Sequence, residues 1–144
     1  SLMGFAASRG FTRHRTGPKE PALRKARICY DHLAGDYGVR MLDSLVAQGA
    51  IEVEGDALRV TASGEHLLGQ YGIELAPMRA LRRPLCRSCL DWSERRAHMA
   101  GSLGKALLSH FVDPGHARRI EGSRIIQFSP EGDRRFQQMF PIVD

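Results

Sequence analysis

Residues 51–64, IEVEGDALRVTASG, decide the fold. Apolar and charged side chains alternate on both sides of Gly55-Asp56, which predicts a short β-hairpin with one apolar face. Thr61 follows directly, and its hydroxyl can cap a helix by accepting a hydrogen bond from a first-turn N–H. The stretch therefore predicts a two-stranded hairpin that leads into a helix. The apolar side chains of that helix are Leu67, Leu68 and Tyr71.

Two helices are predicted on the N-terminal side of this hairpin. Apolar residues recur every three or four positions from Leu23 to Leu33 and again from Val39 to Val46, the spacing of one helix face. Gly35 would end the first helix and Gly49 the second. The order helix, helix, hairpin, helix is typical of a winged-helix unit, in which the hairpin is the wing.

The same order is predicted a second time downstream. HLAGDYG at 32–38 matches HMAGSLG at 98–104, 66 positions on, and the Thr-x-x-Gly of 61–64 matches the Ser-x-x-Gly of 129–132, 68 positions on. Matches in order at nearly one offset indicate a tandem duplication. The second unit would start with a helix capped by Asp91 and Glu94.

After this first helix, the second unit continues with a hairpin that turns at Gly122-Ser123. It ends with a helix that starts at Ser129-Pro130. Met99 and Leu103 would lie on the first of these helices, and Phe136 on the buried face of the last. We therefore predict an α+β fold of two tandem winged-helix-like units packed as one body. The expected organisation is a flexible basic arm including a cloning remnant (1–17), an acidic unit (18–72), a linker with a Cys-x-x-Cys motif (73–90) and a basic unit (91–144).

Composition narrows the class of protein. Of 144 residues, 42% are hydrophobic and 26% are charged, which excludes a disordered chain. No run approaches the ~18 apolar residues of a membrane helix. Three cysteines argue for a reducing cytoplasm rather than a disulfide scaffold. We expect a cytoplasmic globular protein without a membrane partner.

The net charge of +5 is unevenly distributed, with +6 over residues 1–28, −6 over 29–78 and +5 over 79–144. A nucleic-acid backbone would therefore be attracted to the arm and to the second unit. An alternative is that the arginines only keep the protein soluble. The candidate phosphate contacts are Lys105, Arg118, Arg119 and Arg124.

Two segments carry a family resemblance. ARICYDHLAG at 26–35 and RPLCRSCLDWSERRAH at 83–98 resemble stretches of longer bacterial regulators of the ArsR family. The resemblance covers roughly residues 18–141. It implies the C-terminal regulatory and dimerisation region of a winged helix-turn-helix transcriptional regulator, a homodimer that meets DNA through an N-terminal reading domain. The residues before Pro18 do not contain that reading domain, so this sequence is expected to lack it. The family's Cys-x-Cys metal motif is absent, so arsenic or cadmium sensing is not implied.

The segment 91–96 holds the densest cluster of functional residue types. One interpretation is a small-ligand pocket, in which a tryptophan forms a wall and arginines bind an anion. The other is a helix start, and it is favoured because capping already explains Asp91 and Glu94. The pocket candidates are Asp91, Trp92, Arg95, Arg96 and His98.

Cys86-x-x-Cys89 supplies two of the four ligands of a zinc site, which Cys29, His32 or His98 could complete. A second ligand pair at zinc-site spacing is missing, so we expect no bound cofactor, with zinc at Cys86 and Cys89 as the alternative. Redox-responsive thiols are a third interpretation, because neighbouring arginines would lower a thiol pKa.

His32 and His98 occupy matching positions in the two units. We expect each imidazole to bond a backbone carbonyl where two helices meet, since no nucleophile motif accompanies either one. Motifs of hydrolases, nucleotide-binding enzymes and zinc proteases are also missing from the sequence. We therefore predict that the chain is not an enzyme.

Overall fold

The computed structural model describes residues 20–91 and 96–142. Within these ranges the chain forms six helices and eight strands. The first half contains α1 (Pro21–Lys25), β1 (Arg27–Cys29), β2 (His32–Ala34), α2 (Asp36–Ala47), β3 (Ile51–Glu54), β4 (Ala57–Val60), α3 (Ala62–Gln70) and α4 (Ala76–Arg79). The second half contains β5 (Arg87–Asp91), β6 (Arg96–Ala100), α5 (Gly101–Val112), β7 (Ala117–Arg119), β8 (Ile126–Phe128) and α6 (Pro130–Met139).

The order hairpin, helix, hairpin, helix occurs twice, as β1–β2, α2, β3–β4, α3 and as β5–β6, α5, β7–β8, α6. The predicted α+β class is confirmed, and so are the hairpins predicted at Gly55-Asp56 and at Gly122-Ser123. Thr61 Oγ1 accepts a 2.9 Å hydrogen bond from the N–H of Gly64, and Ser129 Oγ accepts one of 2.9 Å from Gly132. These caps begin the closing helix of each half where the sequence predicts it.

The helix predicted from Leu23 to Leu33 is wrong. Only Pro21–Lys25 is helical, and the chain then forms the β1–β2 hairpin, in which Cys29 pairs with His32. Tyr30, at the turn, has φ +59°, a left-handed conformation that cannot continue a right-handed helix. Short apolar runs fit a buried hairpin and a helix face equally well by spacing alone, which is why the periodicity misled.

The helix predicted from Asp91 is present, but its predicted start is wrong. Asp91 ends β5, Met99 lies in β6, and α5 begins only at Gly101. Asp91 therefore does not cap its own helix, and Glu94, its predicted capping partner, lies outside the described residues. The predicted linker 73–90 contains α4 and the first part of β5.

The two halves exchange contacts around one hydrophobic core. Helix α2 packs on β6 and helix α5 on β2, so the helix of each half lies on the hairpin of the other. The strands cross over as well, because β4 pairs with β5 and Arg27 of β1 bridges to Ile125 beside β8. The largest fully buried side chains of this core are Phe111, Phe136 and Phe140.

Two glycines allow this close approach. A Cβ at Gly38 of α2 would lie 2.5 Å from the carbonyl oxygen of Leu33, and a Cβ at Gly104 of α5 would lie 2.5 Å from that of Met99. Gly38 also faces the Cβ of His98, and Gly104 faces that of His32. The motif His-x-Ala-Gly-x-x-Gly occurs twice in this chain and thus places each histidine against the helix of the opposite half. None of the helices in 20–91 and 96–142 is long and apolar enough to cross a membrane.

Candidate functional site

Two cysteines and two histidines meet at the junction of the halves. One ligand atom from each of Cys29, His32, Cys89 and His98 lies within 4.8 Å of all the others. Cys29 pairs with His32 across β1–β2, and Cys89 pairs with His98 across β5–β6. Each hairpin therefore contributes one thiol and one imidazole to what we call the paired cluster, Cys29, His32, Cys89 and His98.

A carboxylate holds the outer nitrogen of each ring. His98 Nδ1 lies 3.0 Å from Asp91 Oδ1, and His32 Nδ1 lies 3.4 Å from Asp31 Oδ1. An ionised carboxylate can only accept, so the short contact with Asp91 places the ring proton of His98 on Nδ1 and leaves a lone pair on its Nε2. The two Nε2 atoms lie 3.0 Å apart, which fits an Nε2–H of His32 that donates to His98 or, with His32 protonated on Nδ1, two lone pairs that face one ion.

Arginines hold the two carboxylates in turn. Arg83 donates two hydrogen bonds to Asp31, at 2.5 and 2.9 Å, and its guanidinium lowers the pKa of that carboxyl. Arg27 lies 3.6 Å from Asp91 Oδ1, which also accepts a 2.6 Å hydrogen bond from the N–H of Gly35. Asp91 is fully buried, so these partners replace the water that the carboxylate loses.

The environment favours the neutral forms of the cluster side chains. Burial lowers the pKa of His98 to about 4, and burial also lowers the pKa of His32. Burial and the neighbouring Cys29 thiol raise the pKa of Cys89. Both imidazoles are therefore unprotonated at neutral pH, and the Cys89 thiol keeps its proton unless a cation replaces it.

The cluster is buried on its histidine side and partly accessible on its cysteine side. His32 and His98 are 4% and 1% exposed, whereas Cys29 and Cys89 are partly buried. Tyr30 and Leu90, the residues that follow the two cysteines, are largely exposed. An ion could thus reach the thiols from solvent and then contact the buried imidazoles.

Cys86 lies apart from the paired cluster. Its Sγ–H donates to the carbonyl oxygen of Leu58 at 3.2 Å, and burial raises its pKa. The Cys86-x-x-Cys89 spacing therefore does not bring these two thiols to one site. The nearby arginines do not produce the lowered thiol pKa that the redox interpretation requires, because burial dominates at both cysteines.

The residues proposed for a ligand pocket separate in the structure. Asp91 and His98 bond each other inside the paired cluster. Arg96 instead pairs with Asp43 of α2 and lines a surface groove with it. Trp92 and Arg95 lie outside the described residues. The expected backbone-carbonyl partners of His32 and His98 are also wrong, since each ring lies between a carboxylate and the other ring.

The candidate phosphate contacts lie on the surface of the second half. Arg118 and Arg124 are exposed on or beside the β7–β8 hairpin, as is Arg119, and Lys105 is exposed on α5. Arg118 donates to Gln127 Oε1 at 2.9 Å, and Arg119 Nε donates to the carbonyl oxygen of Ser123 at 2.8 Å. Seven of the twelve residues of α5 are buried, so this helix has little surface left to place in a DNA groove.

Sequence reasoning missed the partners that orient the histidines, namely Asp31, Arg27 and Arg83. A signal existed, because Cys-x-Asp occurs at 29–31 and again at 89–91, 60 positions on. His32 follows Asp31 directly, whereas His98 comes seven positions after Asp91. The longer β5–β6 connection shifts the offset from 60 to 66 and hides the match.

The chain is similar to a bacterial regulator. It is 40% identical over 116 residues to the uncharacterized HTH-type transcriptional regulator YdfF of Bacillus subtilis (strain 168). The aligned region takes in 81% of this chain and 51% of that protein, so the chain spans about half the length of this curated relative. No protein-family model matches the chain, and no solved structure matches it.

Proposed function

We propose that this chain is the regulatory and dimerisation region of a bacterial transcriptional regulator of the ArsR type. The observation that carries the proposal is the 40% identity to an HTH-type regulator over 116 residues. The aligned length corresponds to nearly all of the described residues. In this proposal the chain positions or modulates a DNA-reading domain and itself forms a homodimer.

The burial of the central helices supports a regulatory rather than a reading role. A helix that reads bases must place its side chains in the major groove. Helices α2 and α5, which precede the two wings, each bury seven of twelve residues in the core between the halves. Base reading is therefore assigned to another part of the regulator, and this region adds at most contacts to phosphates.

The direct test uses the full-length protein in its native cells. Chromatin immunoprecipitation should enrich discrete chromosomal sites, and deletion of the gene should change transcription beside those sites. Enrichment no greater than in a mock precipitation, together with an unchanged transcript profile, would contradict the proposal. Sedimentation of the purified chain tests the homodimer separately, and a monomer at all concentrations would remove that part.

Phosphate contact by the second wing is tested by salt dependence. Each phosphate that a cation neutralises contributes about −0.9 to the slope of log K against log salt for duplex DNA. Replacing Arg118, Arg119 and Arg124 by alanine should therefore reduce the slope by about 2.7 if all three bind phosphate. Arg59→Ala in the first wing, where Arg59 already pairs with Glu52 at 2.6 Å, is the matched control. An unchanged slope in the triple variant would exclude the wing as a phosphate-binding surface.

A further inference from the structure

We propose that Cys29, His32, Cys89 and His98 form a tetrahedral zinc site that joins the two halves of the chain. The ligand set differs from the Cys-x-x-Cys motif that the sequence suggests, because it takes one cysteine and one histidine from each hairpin. The proposal does not depend on the regulatory function, since it rests only on the geometry of the paired cluster.

The spacing of the ligand atoms fits one ion. With Zn–N distances near 2.05 Å and Zn–S distances near 2.3 Å, a tetrahedron places two nitrogens about 3.3 Å apart and two sulfurs about 3.8 Å apart. The Nε2 atoms of His32 and His98 are 3.0 Å apart, and all four ligand atoms lie within 4.8 Å of one another. To admit the ion, the two nitrogens have to separate by about 0.3 Å, and a ligand pair at the 4.8 Å limit has to close by about 1 Å.

The contact between the two rings itself calls for a cation. The two Nε2 atoms lie 3.0 Å apart, so either a proton or a metal ion has to lie between them. Zinc takes the place of that proton and accepts both lone pairs, while Asp31 and Asp91 accept the Nδ1–H of the two rings.

The surroundings match those of known metal sites. Metal-binding histidines almost always donate their other N–H to a carboxylate or carbonyl, which fixes the ring and increases its basicity. Here both histidines do so, and both carboxylates are held by an arginine, Arg83 on Asp31 and Arg27 on Asp91. These ion pairs prepare the ring orientations before any ion binds.

The charge of the site balances when zinc binds. Each cysteine S–H loses its proton to solvent as a Zn–S bond forms, so two protons leave and two thiolates neutralise Zn²⁺. A thiol pKa raised by burial does not oppose this step, because a coordinating thiol is deprotonated by the ion itself. Neither sulfur is oxidised, so no oxidant is required.

The donor set selects a transition metal such as zinc over magnesium and calcium. Thiolate and imidazole ligands exclude Mg²⁺ and Ca²⁺, which prefer oxygen, and a closed S₂N₂ tetrahedron is the usual geometry of structural zinc. A Cys29–Cys89 disulfide is the competing use of the same thiols. A disulfide would need an oxidant and would not involve the two Nε2 atoms.

The test is cobalt and zinc binding to the chain prepared metal-free under a thiol-free reductant. Cobalt should bind in a 1:1 ratio with the intense visible absorption of a tetrahedral site and a thiolate charge-transfer band, and zinc should displace it. Cys29→Ser and Cys89→Ser should each weaken binding at least 100-fold. Cys86→Ser is the matched control and should bind as the wild type does.

Several results would overturn the proposal. These are absence of the cobalt spectrum in the reduced wild-type chain, loss of binding in Cys86→Ser, and full binding in Cys29→Ser. X-ray absorption of the zinc-loaded wild-type chain decides the matter even where a variant fails to fold. Two sulfur and two nitrogen ligands support the site, and any other ligand set refutes it.

Discussion

Replacing Gly38 by alanine should destabilise the protein, although Gly38 lies within helix α2, where alanine is normally preferred. The added Cβ would lie 2.5 Å from the carbonyl oxygen of Leu33 and 3.3 Å from the Cβ of His98. The shorter contact is with backbone, so it is relieved only if α2 moves away from β2. Overpacking of this kind costs about 1–3 kcal/mol, and we take the upper end because no side chain can rotate away.

The gain from alanine in a helix offsets about 1 kcal/mol of that cost. The expected net loss is about 2 kcal/mol, which for a chain of this length lowers the Tm by about 4–8 °C. Urea and thermal unfolding followed by circular dichroism measure both quantities. Since His98 packs on the same position, cobalt affinity should fall in parallel.

Gly69→Ala is the matched control. Gly69 also lies in a helix, α3, but a Cβ there meets nothing within 4 Å. This variant should be more stable than the wild type by up to about 1 kcal/mol and should bind cobalt normally. A Gly38→Ala protein at least as stable as the wild type would refute the close packing of the two halves at this point.

Three further predictions follow from other contacts. Asp31→Asn should weaken zinc binding about 10–100-fold, because it removes a carboxylate that orients the His32 ring. Competition with a chromophoric chelator measures the zinc affinity. An unchanged affinity would contradict the assigned role of Asp31. Burial and the hydrogen bond to Asp133 raise the pKa of Tyr37 to about 12. The stability that this hydroxyl contributes is therefore present below pH 10 and is lost as the pH rises from about 10 to 12. Tyrosinate absorbance should show one late-titrating tyrosine, and that step should be absent in Tyr37→Phe. Ser129→Ala should cost about 1 kcal/mol of unfolding free energy, because it removes the cap of α6. Ser63→Ala, one position inside the other closing helix, removes only exposed hydroxyl bonds to Thr61 and Gly49 and should cost less.

The closing parts of both halves could be predicted from the sequence because their signals are local. Alternation around Gly55-Asp56 specifies a wing, and a hydroxyl three positions before a glycine specifies the cap that follows. The opening parts could not, because the run from Leu23 to Leu33 satisfies helical spacing but forms the β1–β2 hairpin after Lys25. Packing of this hairpin against α5 of the opposite half distinguishes the two cases, and spacing does not encode it.

The candidate site was only partly predictable for a related reason. Cys29, His32, Cys89 and His98 were all visible as zinc-type ligands, but Cys86 was grouped with Cys89 because the two are close in sequence. Strand geometry separates them, since Cys89 lies within β5 opposite His98 while Cys86 lies before the strand and bonds Leu58. Neighbours across a sheet, rather than neighbours along the chain, determine which thiols meet.

The proposed zinc site and the proposed regulatory role both involve the β1–β2 and β5–β6 hairpins. Each pair of zinc ligands lies on the hairpin that leads directly into α2 or α5, and each of these helices packs against the opposite half. An ion that binds one thiol and one imidazole from each hairpin therefore holds both helices in a fixed relation. Under the regulatory proposal, a change in the relative position of α2 and α5 alters the region that positions the DNA-reading domain. Zinc-dependent operator affinity in the full-length protein would connect the two proposals, whereas equal affinity with and without zinc would assign the ion a purely structural role.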